Sequence, residues 1–520
     1  MHIDAQSHVP LKWSFALLSV CLSLFILMSY GGIRTPDGEI VFRVGESLAR
    51  HGHFAIDAPL ATWEPFAVLK GRQNNLYGVF APAQSILLAP LIKAGLIINK
   101  TGWYEHTPLP IPASFGVDAQ SLKHYAFGIP PDNPEPHALR FIASFFNPIA
   151  ASFLLLIFFY AMVYTTRSCI AGFFTALLLA FATPVWSYSG TMFKEPMTMG
   201  FVVLSFFYLV KNDSTLVLTR SNDKRVLLAG LFGGLAFTTH LTAILFIPFL
   251  GAYALFSRIG PDKPEARAGF IKTAGAFTGG FIIPTALFAL YNYHRFGNIL
   301  TTGRSSSDIT YGTFVMPWEG LWGLLASPGK GIFFFCPAVI AGIVLWPYLH
   351  RKSRRLSILL AAMILFRLLF VACRSDWHGG FCLGPRFLLP VMPFLLMPVG
   401  IYVTENGVDL LTGTWKRLIT AGFLFAAVCQ QIYFCLGEPI SFYYILKARY
   451  LVRGINIITT NDIYFQWPAS PLLHLLSGRR GPFLLQWVPL SNLQLFCLLA
   501  AVLAGLTAVF SFYLAKAKSP

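Results

Sequence analysis

Residues Trp13–Tyr30 read WSFALLSVCLSLFILMSY, and the nine that follow, Gly31–Glu39, read GGIRTPDGE. The first stretch holds 18 residues without a charge. A helix crossing a bilayer needs about 20 predominantly apolar residues, so this stretch reads as a first membrane span. No alanine-x-alanine-like cleavage pattern follows it, which points to a retained span rather than a removed signal. The second stretch is a turn, with Pro36 and Gly38 as its turn residues and Asp37 and Glu39 as its acids. One reading makes Asp37 or Thr35 the cap of a helix that begins near Glu39. Another makes the carboxylate a general base at the mouth of the first span. The two are compatible, because helix-terminal N–H groups also orient a carboxylate.

The whole chain supports the membrane reading. Of 520 residues, 55% are hydrophobic and 12% are charged, and mean hydropathy is +0.62; soluble domains carry about 25% charged residues. Eleven further stretches have span character: Phe141–Tyr164, Cys169–Ser187, Glu195–Val210, Val226–Thr238, Leu241–Ser257, Thr273–Tyr293, Gly331–Tyr348, Ser357–Cys373, Phe387–Thr404, Leu418–Leu436 and Leu493–Leu514. The expected fold is therefore an all-α polytopic membrane protein with about 12 spans. Val226–Thr238 and Leu241–Ser257 are short, and charge decides how they count. As two spans, they leave Lys211, Arg220, Lys224, Arg225, Arg258, Lys263, Arg267, Lys272, Arg351, Lys352, Arg354, Arg355, Lys416 and Arg417 all on one face. Basic loops mark the cytoplasmic side, so the termini are expected inside. The net charge of +17 then reads as a topology and headgroup signal rather than a nucleic-acid signal. Eight scattered cysteines read as small buried hydrophobes; only Cys373 and Cys382, flanking one turn, have a spacing that suggests a pair.

Three long loops fall outside: Gly31–Arg140, His294–Lys330 and Gly437–Asn492. The first is expected to hold a helix over Glu39–His51 closed by Gly52, and a second, interfacial helix over Gln84–Ile98. Chemistry-bearing residues gather at the outer turns. Lys194-Glu195-Pro196 opens one span; Glu195 fits the helix dipole, yet a carboxylate there is costly unless paired or wet. The turn from Arg374 to Arg386 holds Asp376, His378, Gly379, Gly380 and Gly384. Gly-rich backbone flanked by arginines suits a phosphate, and an aromatic-anchored interface turn is the plainer alternative. His378 near Asp376 lacks a third ligand, so no metal is expected. Arg304 and the Ser327-Pro328-Gly329-Lys330-Gly331 turn add outer cations. The Walker spacing is absent, and Lys330 fits a lipid phosphate or simple snorkelling. Arg367 lies within a span, a functional position by default.

Taken together, these turns resemble the GT-C membrane glycosyltransferases. The bacterial branch related to the protein O-mannosyltransferases and the aminoarabinose lipid A transferases is the most similar. Phe193-Lys194-Glu195-Pro196 resembles its F-x-E-P turn, Ser327–Gly331 its S-P-G-[KR]-G turn, and Trp377-His378-Gly379-Gly380 with Gly384-Pro385-Arg386-Phe387 its W-x-G-G…G-P-R-[FY] turn. Tyr77–Gln84 is similar to its Y-G-x-[FY]-x-P-[GA]-Q helix start. The resemblance runs from Ile33 to about Pro393. It implies a GT-C-like catalytic module over 1–436, with 437–520 as an outer loop and last span. It implies inverting transfer from a polyprenyl-phosphate-linked sugar on the outer face of a bacterial inner membrane, with no cofactor required. The acceptor (lipid, glycan or protein) stays open. The base is Asp37, with Glu39 as the alternative because D-G-E replaces the family's D-E; Glu195 joins the catalytic set. Donor phosphate falls to Arg386, Lys330, Arg374, Lys194 and Arg304, and Gly190 stands where relatives often carry Arg. A flippase of polyprenyl-linked sugars, or an outer-face glycan ligase or polymerase, would use the same cations.

Overall fold

The computed structural model describes residues 11–56, 67–106, 134–213, 223–256, 266–303, 313–406, 414–455, 460–477 and 481–516. Helices dominate. Among the described residues the one sheet is a two-stranded antiparallel ribbon, Val68–Lys70 against Leu76–Gly78, with Leu69 opposite Tyr77. Among the described residues, four helices are long and apolar enough to cross a membrane: Glu135–Thr166, Gly269–Phe296, Arg354–Ala372 and Arg386–Asn406. Six shorter apolar helices accompany them, Leu11–Leu27 among them.

The spans differ in what surrounds them. The apolar window of Arg386–Asn406 is 89% buried inside the protein, against 28% for Gly269–Phe296. The first is thus the central helix of the bundle, and the second presents most of its surface outward, where only lipid can cover Ile282, Ile283, Leu287 and Leu290. Close helix packing relies on glycine. A Cβ at Gly230 would strike the Phe277 carbonyl and one at Gly280 the Leu227 carbonyl, so Asp223–Thr239 and Ala266–Phe296 approach backbone to backbone, as small residues allow in membranes.

The chain breaks at His240, which takes extended backbone (φ −145°, ψ 118°) between Asp223–Thr239 and the turn Leu241–Phe246. The stretch Gly331–Tyr348, expected as one span, is instead three short helices: Ile332–Phe335, Ala338–Val344 and Trp346–Lys352. Pro337 and Pro347 begin new helices because neither has a backbone N–H to continue the previous one.

After the first apolar helix, Pro36–His51 forms a helix capped by the Thr35 side chain, which accepts from Gly38 N–H at 3.1 Å, and closed by Gly52 at φ 74°. Its apolar face (Ile40, Val41, Val44) packs with Leu88 and Ile92 of the Ala83–Asn99 helix. The described residues between Gly437 and Asn492 fold back on two turns that precede them in the chain. Gly329 N–H donates to Tyr464 O at 2.9 Å, and Phe483 N–H donates to Ser29 O at 3.0 Å.

Candidate active site

The glycine-rich turn is built around one buried amine. Lys330 Nζ donates to Gly380 O (2.8 Å) and Cys382 O (2.6 Å) and contacts Cys382 Sγ at 3.3 Å. Gly379 and Gly380 sit at φ 72° and 76°, a region side-chain-bearing residues avoid, and this curls the turn around the amine. Trp377 anchors the other side: its indole N–H donates to Glu319 at 2.9 Å, and its ring fills the space a side chain at Gly323 would need. His378 Nδ1 accepts from Gly380 N–H at 2.9 Å, which places the proton on Nε2. Burial, reinforced by the Lys330 charge, brings its pKa down to about 3, so the imidazole is neutral. Cys373 and Cys382 are both free thiols; Cys382 faces Lys330 rather than its suggested partner.

This turn delivers Arg386 to the acids. Its Nη1 lies 3.7 Å from Asp37 Oδ2, and its Nε lies 3.1 Å from Glu195 Oε1. Three turns far apart in sequence therefore meet at one guanidinium. A cavity of about 320 Å³ opens beside it. Asp37, Lys194, Arg367, Arg374, Asp376, His378 and Arg386 all line this cavity. Arg367, Phe370, Val371 and Arg374 follow one another at helical spacing, so a single face of Arg354–Ala372 and its end supplies one wall. Arg374 is held bidentately by Asp376 (2.7 and 2.7 Å). Arg367, buried within its span, donates to Phe387 O (3.0 Å) and Thr242 O (3.2 Å), both backbone carbonyls. Lys194 Nζ lies 3.4 Å from the Phe80 ring centre. The wall is thus rich in cations, with Asp37 as its accessible carboxylate beside them.

Other expected site residues lie elsewhere. Glu39 is fully buried behind Asp37, bound by Arg140 (2.5 and 3.0 Å) and Arg43 (2.8 Å). It faces the packing of the first loop, not the cavity, because its helix turns it some 200° away from Asp37. Lys330, expected at the donor phosphate, donates its amine to turn carbonyls and is not among the residues lining the cavity. Tyr77 is packed edge-on against His294 and Phe296 and also lies off the cavity wall. Arg304 lies outside the described residues. Burial brings the Lys330 pKa down to about 8. Replacing Lys330 by Met should leave the buried Cys382 carbonyl without a donor, at about 1–3 kcal/mol, while Gly380 O keeps the Cys382 N–H at 3.0 Å. The expected result is a lower unfolding temperature together with weaker lipid-phosphate binding, checked by thermal unfolding in detergent.

The sequence reading missed part of the wall. Ile440, Tyr444 and Tyr464 come from the Gly437–Asn492 loop, and His240 and Thr242 from the break between two helices. His240 carried a faint signal, as a polar residue between two short apolar runs. The aromatic contributions of the last loop carried none, since they depend on the fold-back alone. Among the described residues, no three His, Cys, Asp or Glu side chains gather as a metal site.

Comparison with known proteins matches residues 125–299 to the family described as dolichyl-phosphate-mannose-protein mannosyltransferase. That segment includes Lys194 and Glu195 and excludes Asp37 and Arg386. No curated protein matches the chain. Among solved structures, ArnT from Cupriavidus metallidurans bound to undecaprenyl phosphate aligns at TM-score 0.47 and 13% identity, over 86% of this chain and 73% of that one. The archaeal oligosaccharyltransferase AglB from Archaeoglobus fulgidus, in complex with an inhibitory peptide and a dolichol-phosphate, aligns at TM-score 0.45 and 12% identity, over 85% of this chain and 56% of that one. Over residues 125–299, a third of its length, the chain matches the dolichyl-phosphate-mannose-protein mannosyltransferases, relatives of the branch its turns resemble.

Proposed function

We propose that this protein is an integral membrane glycosyltransferase that moves a sugar from a polyprenyl-phosphate donor to an acceptor hydroxyl, with inversion, at the outer membrane face. The observation carrying this reading is the meeting of Asp37 with Arg386, 3.7 Å apart, on a cavity whose wall also includes the cations Lys194, Arg367 and Arg374. A carboxylate beside a cationic wall is what a single displacement from a phosphate leaving group requires. The donor's phosphate lies against Arg386, Arg374, Arg367 and Lys194, and its isoprenoid tail stays in lipid. Asp37 takes the proton of the acceptor hydroxyl. The acceptor oxygen forms a bond to the anomeric carbon from the face opposite the phosphate. The bond between that carbon and the phosphate oxygen breaks, and its electron pair leaves on the phosphate. Pre-aimed cations at such a developing charge contribute about 10²–10³-fold each. Glu195 faces the guanidinium at 3.1 Å as a counter-charge, and Lys330 shapes the turn that presents it. The positive-inside pattern supports a cavity at the outer face and both termini in the cytoplasm.

The test is transfer by the purified protein in lipid nanodiscs, with a radiolabelled polyprenyl-phosphate sugar and lipid, glycan and protein acceptors offered in turn. New glycosidic product with inverted anomeric configuration, read by NMR, is expected. Movement of the labelled lipid between leaflets with no new bond would assign the cavity to a flippase instead.

A further inference from the structure

Arg386 is bound unlike the other arginines of this region. Arg140 grips Glu39 through two N–H groups, and Arg374 grips Asp376 the same way. Arg386 sits between two carboxylates and grips neither. Its Nε is 3.1 Å from Glu195 Oε1, but off the hydrogen-bonding line, so Nε is buried without a hydrogen-bond partner. Glu195 Oε2 is also buried and unpartnered. Asp37 lies further off, at 3.7 Å. The rings of Phe193 and Phe387 flank the guanidinium at 4.4 and 5.0 Å and leave its edge toward the cavity. Among the described residues, the side-chain N–H groups of Arg386 make no hydrogen bond of good geometry. An arginine fork forms its strongest contacts with two oxygens of one oxyanion. The unspent donors are therefore suited to a phosphate entering the cavity, and the charge that Arg386 shares with Asp37 is only loosely committed.

We infer that Arg386 masks Asp37 in the empty protein and releases it when a lipid phosphate engages the guanidinium, so that donor binding exposes the base. This rests on the glycosyltransferase reading above and adds an order to it: donor first, acceptor second. An acceptor hydroxyl arriving at the empty protein meets a carboxylate already facing a cation. After donor binding, the same carboxylate is free to take a proton. Linkage makes the coupling reciprocal. If phosphate weakens the Asp37–Arg386 contact, Asp37 weakens phosphate binding by the same factor.

The experiment measures binding of polyprenyl phosphate, and of uncharged polyprenol as control, to wild type and Asp37→Asn in nanodiscs. Asp37→Asn is expected to bind the phosphate about five- to tenfold more tightly, the scale of one freed charge-assisted contact, with polyprenol unchanged. In an Arg386→Gln background the gain should vanish; Arg386→Lys serves if that chain does not fold. A gain that persists without the guanidinium reports simple repulsion between Asp37 and the phosphate, and overturns the mask. So does the absence of any gain. Wild-type protein that binds no polyprenyl phosphate at all removes the donor assignment itself, and the mask with it.

Discussion

Asp37→Asn is expected to lower sugar transfer by about 10³-fold, within the range of a lost general base, while the protein stays folded. The structure separates the two properties. The helix cap is Thr35, not Asp37, so the substitution keeps the Gly38 N–H satisfied. Asp37 contributes to the helix only as a charge in its first turn, worth about 0.3–1 kcal/mol. Its side chain reaches the cavity and Arg386 rather than the core. Transfer of radiolabelled sugar, measured beside thermal unfolding, checks both halves. Near-wild-type transfer by a folded Asp37→Asn protein would remove Asp37 as the base.

Glu39→Ala is expected to do the reverse, by unfolding the outer loop. Glu39 has no exposed surface, and Arg140 (6% exposed side chain) and Arg43 both close on it. Removing the carboxylate strands buried cations, which costs about 3–5 kcal/mol. The same cluster predicts a pH dependence. Burial pushes the Glu39 pKa up, but the charges and hydrogen bonds of Arg140 and Arg43 outweigh it and hold the pKa below its ordinary 4.5. A depressed carboxylate favours the folded state above its unfolded pKa. Its contribution is therefore complete above about pH 4.5 and fades as pH falls below that toward the folded value. Unfolding temperatures of wild type and Glu39→Gln should converge as pH is lowered from 6 toward 3. A constant gap across that range would show that folding does not lower the Glu39 pKa.

These two acids stand two residues apart and were interchangeable in the sequence. Both follow a turn, both open a helix, and D-G-E left either as the base. Helical geometry separates them, with one side chain facing the cavity and the next but one facing the loop's interior. The Arg43 partner of Glu39 was legible at helical i,i+4 spacing. Arg140 was not, because it arrives from the far end of a loop whose path the sequence does not specify. Lys330 shows the same limit. A lysine in a glycine turn at a membrane mouth has the composition of a phosphate ligand. Whether its amine meets a ligand or the chain's own carbonyls depends on how two distant turns are set together.

The sequence by itself determined the solvent and the elements. Apolar length and basic asymmetry call for a helical membrane protein, because a bilayer satisfies no backbone groups. Proline, glycine and capping residues mark where helices begin and end, as Thr35 and Gly52 do. It also selected the outer turns on which chemistry-bearing residues collect. Only the tertiary structure decided which of those residues share a cavity. Charges on neighbouring turns compete for the same partners over 3–4 Å, and that outcome is set by packing between elements remote in sequence. Arg386, placed between Asp37 and Glu195, is the product of that competition.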